Sequence, residues 1–358
     1  MVPNPKPDPD NAGGGIEMAF CSHRIRSYSK KITLLNSSKT AFAAFFLSLL
    51  ISFSVVAAPN KIDSSQKPLV VYIHETLYVT QKETLEKQCD FPFVLKPFSG
   101  SDLIGKILLE DEHLKADVVV GVEGERMNDP SIASLAEPLP EILFQKLSLP
   151  FSWKNKKFLP LSYAYLAFLY EAGQLQPATE TLRRFLKSLP ARSLAVPDPR
   201  TSMVGRGALS WVAPSDYEIL HEKTLTYPKG WSGAFALFNK GRAKAMLSYT
   251  TSIIYHHKNE QPFIRWASFK KTPHPLQVMT AFVNAKKTLH PKAVLFLEIL
   301  LSKPAQQGVI DNYAYPVIAI SIPETYEKCR PKEAFLLEGG AAKEAENLRQ
   351  WMAIGYQK

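Results

Sequence analysis

The sequence predicts an α/β protein of two lobes with a ligand cleft between them. Three observations carry this. Short, uninterrupted apolar runs alternate with segments of helical periodicity. A long apolar and aromatic stretch, Leu159 to Tyr170, lacks helical punctuation and is suited to cross from one lobe to another. The chain of 358 residues is too long for one small core and suits two.

The first run is Leu69-Val70-Val71-Tyr72-Ile73, short enough for a buried strand. Such runs suit parallel sheets covered on both faces. After Ser99-Gly100-Ser101-Asp102 come Leu103, Ile104, Ile107 and Leu108, the spacing of one helix face behind a Ser/Asp start. Ala116 to Gly121 is a second buried strand. The β, α, β alternation makes this lobe doubly wound. Beyond Tyr170, Thr179 to Leu189 places Leu182, Phe185, Leu186 and Leu189 on one helix face. A short strand is expected at Leu194-Ala195-Val196 and a helix from Gly207 to Val212. Lys229-Gly230-Trp231-Ser232 opens another helix, with Ala234, Phe235 and Phe238 inward. Ala245 to Thr251 is an expected strand, and Phe263 to Phe269 is expected to cross back to the first lobe. Ala293, Phe296, Leu297, Leu300 and Leu301 mark an amphipathic helix.

Residues 1–57 are set apart from the fold. Ala41 to Val56 reads AFAAFFLSLLISFSVV, without a charge, and Arg24, Arg26, Lys30, Lys31 and Lys39 precede it. Val55 and Ala57 put small residues where a signal peptidase reads, so the segment is expected to be a cleaved secretory signal. The apolar run is slightly short for a span of ~20 residues. No Cys lies at the cleavage point to suggest a lipoprotein. Residues 1–17 are rich in Pro, Gly and Asn, and either Met1 or Met18 could be the start. The expected organisation is 1–57 extension and signal, 58–162 first part of lobe one, 163–265 lobe two, and 266–358 return to lobe one with C-terminal helices.

Composition narrows the function. The hydrophobic share of 46% is that of a globular protein. The net charge of +10 is spread thinly, with basic pairs such as Lys156-Lys157 and no longer run, so a nucleic-acid partner is not expected. Cys21, Cys89 and Cys329 form no disulfide framework and no metal-ligand spacing; Cys89 and Cys329 could pair in an oxidising compartment. There is no G-x-S-x-G, no H-E-x-x-H and no phosphate-binding G-x-x-x-x-G-K. His256 and His257 are neighbours and point apart. No catalytic or metal-binding residue is therefore assigned.

Three strand-to-helix turns are rich in Ser, Thr and Gly: Ser99-Gly100-Ser101, Arg200-Thr201-Ser202 and Gly230-Trp231-Ser232. Each is explained singly by helix capping. Together with Ser248-Tyr249-Thr250-Thr251-Ser252 they point to a cleft for a polar-ended ligand, since helix N-termini present N–H groups to anions. Aromatics accompany them: Trp231, Tyr249, Tyr255 and Tyr313, with Tyr315 read as core. Aromatic faces stack on planar rings and attract cations.

These segments resemble the periplasmic thiamine-binding proteins of thiamine ABC importers. The resemblance rests on Asp198-Pro199-Arg200-Thr201-Ser202 (DPRTS), on KGWSGAFALF from Lys229, and on SYTTSIIYH from Ser248. Weaker similarity covers KADVV from Lys115, Ser162 to Tyr165 and Ala314 to Val317, so that it spans Leu69 to the C-terminus. It implies a type II periplasmic-binding-protein fold that captures thiamine, thiamine monophosphate or thiamine diphosphate. It also implies a periplasmic monomer that delivers its ligand to an inner-membrane permease and does no bond chemistry. The implied ligand contacts are Ser202, Trp231, Tyr249, Thr250, Thr251 and Ser252, with Ser99, Gly100 and Met203 beside them and Tyr255 and Tyr313 completing the aromatic wall. The chain departs from the family pattern at four places. Ser99 replaces an acidic residue, His74 a tyrosine, Tyr313 a tryptophan and Met203 a threonine. Ferric ion, a phosphorylated metabolite, or an exported enzyme on the same fold are the alternatives.

Overall fold

β1 (Leu69–His74) shows how the apolar runs are used. Leu69, Val71 and Ile73 enter one core and Tyr72 the other, on the opposite face, as a two-residue period requires. The computed structural model describes residues 67–355; the expected signal segment, 1–57, lies outside the described residues. α1 (Glu75–Gln88) follows directly, started by His74, whose Nδ1 accepts the Thr76 N–H. Only Leu77, Gln81 and Leu85 of this helix are buried, a seam too thin to show as a helix face in the sequence. β2 (Phe93–Phe98) is the parallel edge strand. α2 (Gly100–Glu110) buries Leu103, Ile104 and Ile107. β3 (Val118–Glu123) is buried throughout. Two short helices lie on opposite faces: α3 (Pro130–Ala133) puts Ile132 in the core of Tyr72, and α4 (Glu141–Gln145) puts Leu143 and Phe144 in that of Leu69.

β4 (Leu159–Glu171) is the expected long extended segment. α5 (Leu182–Ser188) begins at Thr181, whose hydroxyl accepts the Arg184 N–H. β5 (Leu194–Ala195), α6 (Met203–Trp211) and α7 (Tyr217–Lys223) come next. α6 starts four residues before the expected Gly207, because Ser202 supplies its cap. β6 (Thr224–Thr226), α8 (Trp231–Asn239), β7 (Ala245–Tyr249) and α9 (Ser252–Lys258) follow. β7 stops at Tyr249, two residues short of the expected strand, where the chain turns into α9. β8 (Ile264–Trp266) and β9 (His274–Val283) precede α10 (Ala293–Leu300) and α11 (Lys303–Asp311). The chain ends with β10 (Tyr315–Pro316), α12 (Glu324–Glu327), β11 (Ala334–Leu336) and α13 (Ala341–Gly355).

Among the described residues the strands follow the order β2-β1-β3-β9-β4-β7-β5-β6, with β8 and β10 on β4 and β11 on β9. β4 makes the lobes. Its first part, Leu159 to Tyr165, pairs with β9; its second, Leu166 to Tyr170, pairs with β7. The cores change at the same place. Tyr163 and Tyr165 join the core of β1 and β3, whereas Leu166 and Phe168 join that of β5 and β7. Each lobe's sheet is covered on both faces, which is why its strands read as apolar runs.

The return crossing differs from expectation. Residues Ile264–Trp266 pair with the far end of β4 and stay in lobe two; β9 makes the crossing. Polar residues broke the apolar signal of β9, and the fold satisfies them one by one. His274 Nδ1 meets the Leu166 carbonyl at 2.8 Å, and the Thr280 hydroxyl donates to the Val122 carbonyl at 2.9 Å. The segment 266–358 divides its packing. α10 and α11 build the lobe-one core, while α13 lies on α6 and α7 with Trp351 stacked 5.1 Å from His221 in lobe two. Cys89 and Cys329 are both buried and free, and burial pushes each thiol up to about 12.

Candidate functional site

The DPRTS and KGWS turns meet. The Asp198 N–H donates to the Pro228 carbonyl at 2.8 Å, and the Thr201 hydroxyl to the Lys229 carbonyl at 2.5 Å. Asp198, buried, accepts from the Arg200 backbone N–H at 2.9 Å and pairs with its guanidinium, which closes the turn. Ser202 then caps α6, its hydroxyl oxygen 3.5 Å from the Gly205 N–H. Gly205 is required here. A Cβ would stand 2.2 Å from the Pro197 carbonyl oxygen, so only glycine lets α6 begin against this turn.

Trp231 opens α8 and is half-buried between the two faces of lobe two. Its indole N–H donates to the Ser248 hydroxyl at 2.9 Å, and Ser248 bonds Ser252 at 2.8 Å. Its ring stacks on Phe235 at 4.8 Å and 22°. Phe235 meets Tyr255 edge-on at 5.5 Å, and Tyr255 meets Tyr313 edge-on at 6.0 Å. Tyr313 is held in the left-handed region, φ 60°, with Lys258 5.3 Å over its ring. So Trp231, Tyr255 and Tyr313 form one aromatic row, with Phe235 as a member that the sequence assigned to the core.

The Ser248–Ser252 turn ties this row to the rest of the molecule. The Thr250 N–H donates to the Tyr165 carbonyl of β4 at 2.9 Å, and the Thr251 hydroxyl to the Tyr313 carbonyl at 2.6 Å. Thr250, Thr251 and Ser252 are all buried. Ser99 and Gly100 lie elsewhere, at the start of α2. The Ser99 hydroxyl donates to Asp102 at 2.6 Å and makes no cap bond. A Cβ on Gly100 would stand 3.1 Å from His74 Nε2. No described contact joins these two residues to the aromatic row.

Tyr249 follows Ser248 on β7, so its side chain points to the other face of the sheet, into a polar floor. The Tyr249 hydroxyl donates to Gln277 Oε1 at 3.2 Å; Gln277 Nε2 donates to Glu125 at 3.0 Å and to the Met203 carbonyl at 3.2 Å. Met203, Glu123, Glu125, Arg126 and Arg206 line a small pocket there. Arg206 pairs with Glu123 at 2.9 Å, and Arg126 with Glu344 at 3.2 Å. Burial, and then the Glu123 charge, push Glu125 up to about 8. Burial, with Glu125 and Glu123 nearby, raises the Tyr249 phenol well above its ordinary value. Burial lowers His74, opposed by the same Glu123. Gln277 and Glu125 carry no signal in the sequence. One is a lone amide in a strand, and the other stands two residues after Glu123 in a turn without a motif.

The floor and the row together offer flat ring faces, paired hydroxyls and carboxylates, without a nucleophile set against a base or, among the described residues, a cluster of His, Cys, Asp and Glu fit for a metal ion. That is the equipment of a binding cleft. The comparisons with known proteins agree. No family model matches the chain. It is 32% identical over 282 residues to the thiamine-binding periplasmic protein of Escherichia coli K12, covering 76% of this chain and 85% of that one. This chain belongs to the family of thiamine-binding periplasmic proteins. A solved periplasmic thiamin binding protein superposes with a TM-score of 0.71 at 29% identity, covering 82% of this chain and 98% of that one. Iron-bound HitA from Pseudomonas aeruginosa superposes at 0.65 with 16% identity, over 80% of this chain and 100% of that one, a likeness of fold alone. As a thiamine-binding periplasmic protein family member, the chain is a solute-binding protein of the periplasm and not an enzyme, and its fold is the two-lobed type II arrangement.

Proposed function

We propose that this protein captures thiamine or a thiamine phosphate between its lobes and delivers it to an ABC permease of the inner membrane, acting as a monomer. The observation that carries the reading is the row Trp231–Phe235–Tyr255–Tyr313, set against the Ser248–Ser252 hydroxyls. Thiamine presents a flat aminopyrimidine and a cationic thiazolium. Ring faces stack on the first and attract the second. The departures from the family pattern leave this chemistry in place, since Tyr313 in place of tryptophan still offers a ring. Ferric ion fits the floor less well. The Tyr249 hydroxyl is taken up by Gln277, and among the described residues no cluster of His, Cys, Asp and Glu stands ready for the ion.

The test is a fluorescence titration of wild type, Trp231→Ala and Trp231→Phe with thiamine, its monophosphate and its diphosphate, with ferric citrate as rival. A ring over a desolvated cation contributes up to about 2 kcal/mol. Trp231→Ala should therefore weaken thiamine at least ~10-fold, and Trp231→Phe should lose less. Saturable ferric binding with phenolate absorption, and no response to thiamine, would move the assignment to iron.

A further inference from the structure

Gln277 is buried on β9, at the point where that strand leaves the neighbourhood of lobe two for lobe one. Its amide has one acceptor and two donor hydrogens, and all three meet partners from different elements. Oε1 accepts the Tyr249 hydroxyl at the end of β7. Nε2 donates to the Met203 carbonyl in the first turn of α6 and to Glu125 just beyond β3. The site has been cleared for this group. A Cβ on Gly207 of α6 would stand 2.9 Å from Nε2. Neither a carboxylate nor an apolar side chain of the same length could serve all three partners, since only an amide both donates and accepts here.

We propose that Gln277 is a positioning residue of the ligand cleft: it fixes the Tyr249 ring and the start of α6, with Ser202 and Met203, in the geometry that binds ligand. The proposal rests on the thiamine reading of the cleft and deepens it, because it names a residue that touches no ligand yet sets its affinity. Gln277→Met keeps the length and removes the three hydrogen bonds. Gln277→Glu keeps the acceptor for Tyr249 and, when protonated, one donor.

The experiment is a double-mutant cycle of Gln277→Met and Tyr249→Phe, read by calorimetric titration with thiamine at pH 7. Gln277→Met should weaken thiamine roughly 10-fold. In the Tyr249→Phe background the same change should cost clearly less than in wild type, because the Tyr249–Gln277 hydrogen bond is already gone and only the bonds to Met203 and Glu125 remain to be lost. Gln277→Glu should bind within about 3-fold of wild type at pH 5 and fall away from it by pH 8, where it becomes a carboxylate beside Glu125 and Glu123, with Arg206 on Glu123 and the Tyr249 phenol still neutral. Losses that multiply in the double variant, or wild-type affinity in Gln277→Met, would overturn the proposal. If Gln277→Met does not fold, Gln277→Glu carries the test alone, and a pH-independent loss overturns it. Wild type that ignores thiamine would refute the reading of the ligand instead. Melting temperatures of the same four proteins then decide the positioning role, less-than-additive losses keeping it and additive ones ending it.

Discussion

Glu125 keeps its proton to about pH 8 because burial and the Glu123 charge both oppose ionisation. In the unfolded chain the same carboxyl ionises near its ordinary 4.5. Between those values the folded state holds a proton that the unfolded state has lost. Stability therefore falls as pH rises from about 4.5 to about 8, and levels off above. Buried His274 works the other way. Its folded value is lowered to about 4, so its contribution is lost as pH falls from 6.5 toward 4. At 6.5 the unfolded imidazole is still half protonated, and the lowered His74 and His256 and the raised Glu344 add their own slopes, so from 6.5 to 8 the carboxyl is read as the difference between wild type and Glu125→Gln. Wild type should lose melting temperature across that window, and Glu125→Gln should show a flatter line. Parallel lines would show that Glu125 is ionised in the fold. Ser248 offers a second test, since its hydroxyl is the partner of the Trp231 indole N–H. Ser248→Ala would leave that donor without it, at a cost of about 1–3 kcal/mol, read by denaturant melts and by weaker thiamine binding. A neutral outcome in both would mean that water replaces Ser248.

Helices show what a single glycine decides. Gly205 stands in the first turn of α6, where a Cβ would meet Pro197 O at 2.2 Å and Pro199 N at 2.8 Å, both backbone atoms that cannot swing aside. Gly105 stands in α2 with nothing within 4 Å of such a Cβ. Gly205→Ala should cost at least about 3 kcal/mol or prevent folding. Gly105→Ala should stabilise by about 0.5–1 kcal/mol. Urea melts of the pair check both, and equal effects would mean that α6 does not dock on the Pro197–Pro199 turn. Neither glycine could be told from the other in the sequence, because the difference lies in a neighbour from another segment. The legibility of the elements follows the same line. α2, α8 and α10 were readable from apolar spacing, and β1, β3 and β4 from uninterrupted runs. α1 was not, since its seam includes the buried polar Gln81, which donates to the Ala305 carbonyl. β9 was not, since His274, Gln277 and Thr280 interrupt it and find partners only in the folded molecule. The aromatic row was readable through Trp231, Tyr255 and Tyr313; its floor was not, because Gln277 acquires meaning only from three elements distant in the chain.

At the scale of the whole molecule, the lobes depend on β4 changing partners between Tyr165 and Leu166, and a periplasmic cleft protein must also reach its compartment. The chain's front bears on that. Ala41 to Val56 carries no charge and follows Arg24, Arg26, Lys30, Lys31 and Lys39, with Val55 and Ala57 at the positions a signal peptidase reads. The first described element, β1, begins at Leu69. Cleavage after Ala57 therefore removes no residue of any described strand or helix, and leaves the polar stretch Pro59 to Lys67 ahead of the fold. Cleavage after Ala58 is disfavoured, since Pro59 would stand immediately downstream. The same boundary predicts that export and binding are separable. A chain that starts at Ala58 should bind ligand as the exported form does, since no residue of the row, the turns or the floor precedes His74. The expected outcome is a periplasmic protein whose N-terminal sequence begins at Ala58, and a cytoplasmic chain made from Ala58 onward with the same affinity for thiamine. N-terminal sequencing of the envelope fraction measures the first and calorimetry the second. A soluble cytoplasmic protein with Met1 or Met18 intact would sink the export proposal.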